Sequence, residues 1–476
     1  MSQPVIMWFR QDLRLADNPA LYNAAKAGPL ICLYILDDET PGKWKWGGAS
    51  RWWLHKSLES LGNDLKRLGL AITFRRGRPD RVFERLLTET GAKSIYFNRE
   101  HAPWSSSVEE KVQTAARRAG ADCNCCSSFL LFEPETIKTA DGNPYRVFTP
   151  FSRACFANKG MRSTLSSPRS VTTWLKQVDG DRLSDWKLLP SRPDWAVGFG
   201  IWSPGERGAS ERLAEFIERS LAGYSDFRDH PDRDETSRLS AHLHWGEISP
   251  LQCWSAVESS MTEKNGRIDR SAHKFLNELL WREFSNHLLH HWPEFPSKAF
   301  QERYDNVEWR EDPVNLEAWQ KGVTGIPLVD AGMRQLWCTG YMHNRVRMIA
   351  ASFLIKDLLI DWREGERWFW DTLVDADLAN NAASWQWVAG TGADAAPYFR
   401  VFNPLLQGEK FDADGKYVRR WIPELRNLPS KWVHRPWQAP QRVLEAANIE
   451  LGQTYPYAVV DHAFARNRAL EAFGKV

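Results

Sequence analysis

Four short apolar runs dominate the first hundred residues: VIMWF (5–9), LICLYIL (30–36), LAITFR (70–75) and SIYFN (94–98). Helical patterns separate them, among them SRWWLHKSLESLGNDLKRLG (50–69) and PDRVFERLLTETG (79–91). Strands that alternate with helices cannot return as hairpins, so they line up in parallel with helices over both faces. The chain is therefore expected to open with an α/β domain built on a doubly wound parallel sheet. Such sheets bind ligands beyond the carboxyl ends of their strands. No G-x-G-x-x-G follows a strand and no G-K-[ST] loop occurs, which excludes an ordinary dinucleotide or ATP phosphate site.

The strand signal then fades. Residues 133–205 are rich in Pro, Ser, Gly and Trp and weakly periodic, as in STLSSPRSVTTW. From about 206 onward helical periodicity takes over. The expected division is an α/β domain (1–132), an interdomain linker (133–205) and a large all-α domain (206–476). A formal net charge of +2 means that any nucleic-acid site must be a local basic patch. Seven Cys are irregularly spaced; Cys123 and Cys126 have C-x-x-C spacing but no second pair, so reduced thiols are expected and no metal. The N-terminus enters VIMWF without a basic leader, and runs such as MIAASFLI are too short for a bilayer. A soluble cytoplasmic protein is expected. Of the 25 Trp, most must fill core, but so many also allow stacking platforms or electron relays.

Four stretches of the helical half concentrate chemistry. FLNELLWREFSNHLL (275–289) places Glu278, Trp281, Arg282 and Ser285 on one helix face, which taken alone is an amphipathic helix with a solvated Glu–Arg pair. MHNRVRMIAASF (342–353) places Asn344, Arg347 and Met348 on one face, with Val346, Ile349, Ala350 and Phe353 as its core stripe. ETSRLSAHLHWGEIS (235–249) groups Thr236, Ser237, Arg238 and Ser240 at a helix start, where hydroxyls cap N–H groups or join an arginine on a phosphate. DADLANNAASWQW (375–387) carries two acids, two amides and two indoles around one glutamine.

Singly, each stretch is ambiguous. Together TSRLS, NELLWREF, GYMHNRVRM, DWREGERWFW, DADLANNAASWQW, APYFRVFNP and QGEKFD, in that order, resemble the photolyase/cryptochrome family. WFRQDLRLADNPAL and RVFTPF extend the resemblance over nearly the whole chain. It implies a helical FAD-binding domain and light-driven repair of cyclobutane pyrimidine dimers in DNA, by electron transfer from excited reduced FAD to a flipped-out dimer. By motif position, Tyr224 and Thr236, Ser237, Arg238, Leu239 and Ser240 grip the diphosphate. Phe275, Arg282 and Asn344 lie beside the cofactor. Arg347 pairs with Asp375 near the isoalloxazine, with Ala376 and Asp377 adjoining. Asn381 faces flavin N5, where an amide accepts from N5–H or donates to bare N5. Asn380 receives no role.

The same resemblance makes Trp385, Trp362 and Trp309 a relay that carries a hole outward, with Trp309 as its exposed end. Trp368 and Trp370 leave a branch open. Trp281 and Trp387 become stacking walls for the dimer, and Glu278 hydrogen-bonds it and stabilises its radical anion. Met348 and Asn344 complete the pocket. Arg228, Arg345, Arg400, Gln407 and Lys410 are candidates for the strand backbone, whose phosphates supply affinity and register.

Within the family, Met348, Trp387 and Glu278 match the dimer-repair type. Relatives that repair (6-4) lesions carry histidines near Met348, and plant cryptochromes often replace the second Trp of WQW or the Glu. Only Cys253 and Cys338 lie in the helical half, short of the four thiols an iron–sulfur branch needs. GGASRWWLHKSL and NNAASWQWVAG look most like class III dimer photolyases. The alternative is a blue-light photoreceptor (cryptochrome) of the same fold without repair; a plain flavin oxidoreductase lacks its nicotinamide fingerprint here. The resemblance also implies an antenna, expected to be 5,10-methenyltetrahydrofolate with a deazaflavin as the alternative. HAPWSSS does not match the folate-binding Asn-Glu pair of enterobacterial relatives. Trp44, Trp46, Arg51, Asn98 and Glu100 lie near the expected rim. A monomer acting on dimer-containing DNA, away from membranes, is expected.

Overall fold

The structure, a computed structural model, describes residues 3–476 except Lys159, Lys264, Asn265 and Arg267. Five strands, β1 (Val5–Phe9), β2 (Leu30–Leu36), β3 (Ile72–Arg76), β4 (Ser94–Asn98) and β5 (Asp122–Cys126), form one parallel sheet in the order β3-β2-β1-β4-β5. Every residue of β1 and β2 is buried, as a central parallel strand requires. Ile6, Trp8, Ile31, Leu33, Ile95 and Phe97 point to one side. There they meet the helix Pro79–Thr90 through Phe83 and Leu86, and the helix Ser105–Arg118 through Val108 and Val112.

β5 has no apolar run to announce it. Its residues, DCNCC, are exposed or half-buried because it is the sheet edge. Its position also decides the cysteine question. Cys123 and Cys126 are an odd number of residues apart on a strand, so they project to opposite faces and cannot share a ligand. Burial pushes the Cys123 thiol up to about 11. All seven cysteines are free thiols.

The strand order reverses between β1 and β4, the place where such sheets usually take a ligand. Here the chain's own polar groups occupy it. Asn98 donates to Asp12 Oδ2 (2.5 Å) and Asn18 Oδ1 (2.7 Å). Arg10 pairs with Glu100 (2.7 Å) and Glu109 (2.5 Å). Beside them lies a polar cavity of about 460 Å³, lined in part by Arg99, Glu100, His101, Glu109, Glu135 and His290.

Beyond the sheet the chain is helical, and the described residues divide into two compact units. The first comprises Met1–Asp194, Trp202–Ala222 and Ser237–Pro293; the second comprises Trp195–Ile201, Gly223–Thr236 and Glu294–Val476. The expected break at 205/206 is therefore not where the packing divides. The reason is a set of long-range polar bonds within the first unit. Glu247 accepts from Trp53 Nε1 at 3.0 Å and from the Gly205 N–H at 2.7 Å. Glu283 accepts the N–H groups of Leu131 and Phe132 at 2.8 and 3.1 Å. These tie the helical stretch 237–293 to the sheet-bearing segment. Among the described residues, no helix is long and apolar enough to cross a membrane.

Candidate functional site

DADLANNAASWQW builds the helix Leu378–Ala389 of the second unit, and each odd residue in it has a physical task. Asp377 is the N-cap; its Oδ1 accepts the Asn380 N–H at 2.9 Å and Asn380 Nδ2 at 2.7 Å. Asn380 is thus the partner of Asp377, a role the sequence did not reveal. Gln386, fully buried between the two indoles, accepts the Phe300 N–H at 2.8 Å and donates to the carbonyls of Phe295 and Lys298. It clamps a loop and orients the helix. Asn381 donates through Nδ2 to the Glu366 carbonyl at 3.0 Å. With that N–H committed, Oδ1 is the end of the amide left to accept from a ligand.

Arg347 and Asp375 do form an ion pair, at 2.8 Å, with the Asp375 side chain only 4% exposed. Burial works against the Arg347 charge, and Asp375 more than restores it, so its pKa is raised. Arg347 also donates through Nε to the Met342 carbonyl at 2.7 Å. The helix Asn344–Ser352 that carries it is capped by His343, whose Nδ1 accepts the Arg345 N–H at 3.2 Å. Burial pushes the His343 pKa down to about 4, so the cap is neutral. On the exposed face, Asn344 Nδ2 reaches Met348 Sδ at 3.9 Å. Ala376 is buried.

Trp385 is buried with Phe369 at 5.0 Å and Trp319 at 6.2 Å between ring centroids. Trp319 is fully buried and stacks on Phe369 at 5.9 Å; no motif had marked it. Trp362 is buried beneath the Arg363 guanidinium at 4.7 Å. Trp309 is half-buried rather than exposed, because the ring of Phe473 meets it edge-on at 5.7 Å. Its indole N–H is shielded and lacks a hydrogen-bond partner among the described residues. Trp368 stacks on Trp337 at 5.9 Å with planes 8° apart, and Trp370 is buried.

Gly365 is what lets Trp385 lie so close to the helix Trp362–Thr372. A Cβ there would run into the Trp385 ring and come within 2.7 Å of Leu354 Cδ2. Gly365→Ala is expected to lower stability by about 1–3 kcal/mol, the cost of overpacking a filled core. A denaturant melt checks this, and an unchanged midpoint would show that the ring has room to move.

The helix Asp269–His291 of the first unit departs from the amphipathic expectation. Residues 282–289 are buried all round. Arg282 does not pair with Glu278; it lies over the Phe129 ring at 4.2 Å and donates to the Phe129 carbonyl at 2.9 Å. Glu278 is half-buried, with Lys274 Nζ at 3.7 Å. Burial pushes the neighbouring Glu283 up to about 7, against the opposing effect of Arg282. Phe275 is buried against Phe216 at 4.8 Å. Trp281 is partly exposed and stacks on Phe148 at 3.6 Å.

In TSRLS one hydroxyl does take a backbone N–H: Ser237 Oγ accepts that of Leu239 at 3.4 Å, just ahead of the helix. The helix begins at Ser240, and its cap, Leu239, contributes no side-chain bond. Arg238 sits in the left-handed region at φ 51°, so the segment around it is irregular. The Ser237 carbonyl accepts from Arg212 Nε at 2.8 Å. In the second unit, Arg228 lies over the buried Tyr224 ring at 5.2 Å. Arg345 is held by Asp229 at 2.6 Å, which reduces its freedom to meet a phosphate. Arg400 lies near the half-buried Trp387 at 5.9 Å, and Lys410 over Phe411 at 5.1 Å. Gln407 Oε1 is buried without a partner among the described residues.

Comparison with known proteins places this geometry. Residues 275–475 match the family model of the FAD binding domain of DNA photolyase, and residues 5–169 match that of DNA photolyase. The deoxyribodipyrimidine photo-lyase of Agrobacterium fabrum is 48% identical, over 100% of this chain and 98% of that protein. The chain belongs to the photolyase/cryptochrome family. Cryptochrome-1 of Arabidopsis thaliana, in the same family, is 36% identical over 99% of this chain and 70% of its own length. The crystal structure of a bacterial class III photolyase from Agrobacterium tumefaciens superimposes with a TM-score of 0.96 at 48% identity, covering 100% of this chain and 98% of that one.

The family's FAD suits the residues present. Arg282 Nη2 is buried without a hydrogen-bond partner among the described residues, an unused donor of the kind a bound carbonyl or phosphate oxygen satisfies. Asn381 offers an oriented acceptor, and the Arg347–Asp375 pair offers fixed charge. Of the expected antenna rim, Asn98 is spent in the sheet crevice, and Arg51 pairs with Asp38 and bonds the Trp46 carbonyl. Trp46 packs on Trp245 at 4.9 Å, and Glu100 alone of the five lines the polar cavity.

Proposed function

We propose that this chain repairs cyclobutane pyrimidine dimers in DNA under blue or near-ultraviolet light. The observation that carries this is the partly open Glu278–Trp281 face, in a chain that matches a deoxyribodipyrimidine photo-lyase end to end. The chemistry that FAD would supply when bound and reduced is a photoexcited electron, lent to the cyclobutane ring to open it. In the second unit, Tyr224, Thr236, Asn344, Arg347, Asp375, Ala376, Asp377 and Asn381 would hold it. In the first, Ser237, Arg238, Leu239, Ser240, Phe275 and Arg282 are its candidates.

The protein's part is positioning and electrostatics. Asn381 Oδ1 would accept a hydrogen bond from a ring N–H of the cofactor. Trp281 and Trp387 would stack on the flipped bases, whose unstacking costs a few kcal/mol in a duplex and less at a lesion. Glu278 would hydrogen-bond the dimer as charge arrives on it. Arg228, Arg345, Arg400 and Gln407 would track the strand backbone, Arg345 only on release from Asp229. Trp385, Trp362 and Trp309 would reload the cofactor with electrons.

A second chromophore, methenyltetrahydrofolate or a deazaflavin, is proposed for the sheet-bearing unit. Near-ultraviolet absorption beyond that of flavin, with mass spectrometry of the released molecule, tells them apart. We further take the protein to be monomeric and cytoplasmic.

Two experiments test the function. A dimer-containing oligonucleotide should be bound in the dark and released on illumination, because repaired bases return to the stack; retention after illumination would favour a photoreceptor without repair. Glu278→Ala should lower the repair yield about tenfold, the worth of one hydrogen bond to a charged group, with little loss of dark binding. An unchanged yield would remove Glu278 from the chemistry.

A further inference from the structure

We propose that Phe148 is a positioning residue for lesion recognition, fixing the plane of the Trp281 indole against which the dimer stacks. Phe148 opens the helix Phe148–Ala157, inside the stretch whose composition reads as linker. Its ring covers the Trp281 indole with centroids 3.6 Å and planes 6° apart. Phe284 meets both rings edge-on, each at 5.9 Å, and Phe151 backs Phe284 at 5.2 Å. All four lie in the first compact unit. Phe148 is 8% exposed, whereas Trp281 keeps part of its surface open.

These facts have one consequence for binding. One face of the indole is closed, so a ligand can use only the remaining surface, in one orientation. An unbraced indole hops between rotamers, and a stacking partner must then spend binding energy to order it. A plane set beforehand removes that cost. Phe148 would thus act on the lesion through Trp281. The proposal rests on the assignment of Trp281 to the lesion wall, and the test separates the two.

The experiment measures dark binding of FAD-loaded protein to a single-stranded oligonucleotide with one thymine dimer, and to the same strand undamaged. Phe148→Leu keeps an apolar side chain and removes the flat face. It should weaken binding to the damaged strand about three- to tenfold, the worth of one aromatic pair, and leave the undamaged strand unaffected. Phe148→Tyr should restore wild-type binding. In a Trp281→Ala background, Phe148→Leu should cost nothing further. Wild-type discrimination by Phe148→Leu would overturn the proposal. So would a loss that persists in full without Trp281, since that loss would come from folding. Trp281→Ala that discriminates as well as wild type would sink the wall assignment and the stack with it. Should Phe148→Leu fail to fold, Phe148→Met makes the same comparison.

Discussion

Under blue light with an external reductant, Trp385→Phe should leave the bound flavin oxidised, at the level of a dark control. Trp385 is buried edge-on against the stacked pair of Phe369 and Trp319, and phenylalanine is not readily oxidised, so the proposed first hole site is lost while the packing is nearly kept. The same variant, reduced chemically beforehand, should repair dimers as wild type does, because the proposed splitting step does not use the indole. Time-resolved absorption at the flavin bands and a repair assay on pre-reduced protein measure the two halves. Equal photoreduction in variant and wild type would take Trp385 out of the relay. Trp319, fully buried beside it, would be the next indole to test.

Arg347→Leu should give a protein that purifies without FAD and melts early. The substitution removes Arg347 from the 4%-exposed Asp375 carboxylate, and breaking a buried pair from one side typically costs about 3–5 kcal/mol. The Met342 carbonyl loses its donor as well. Arg347→Leu with Asp375→Leu should recover much of the stability, since neither member of the pair is then left, but not the flavin. Denaturant melts and the ratio of flavin to protein absorbance separate fold from site. Full FAD occupancy in Arg347→Leu would show that the pair serves only the fold.

What was legible in the chain followed how local each cause is. β1 and β2 are visible because central parallel strands are apolar at every position. β5 is invisible because an edge strand has no such need, and DCNCC carries no pattern. The helix Asp269–His291 is legible in the sequence, but the burial of residues 282–289 is not. Arg282 and Glu283 look like surface charges until their partners, Phe129, Leu131 and Phe132, arrive from some 150 residues earlier. The Asp377 cap follows the ordinary preference for acids at helix starts. TSRLS is legible in part: the Ser237 hydroxyl accepts the Leu239 N–H, but the helix itself starts only at Ser240. Gly365 and Phe148 could not be read at all, since each matters only through the indole that packs on it. The motif resemblance supplies candidate site residues that local pattern cannot, and several of them have a structural duty, such as the Asp377 cap and the Arg347–Asp375 pair.

The most direct test is to reduce the purified protein, illuminate it with a thymine-dimer oligonucleotide, and count restored thymines. Light-dependent restoration, absent in the dark and greatly lowered in Glu278→Ala, is the expected result. Intact dimers after illumination of fully reduced, FAD-loaded protein would contradict repair and leave a light receptor of the same fold.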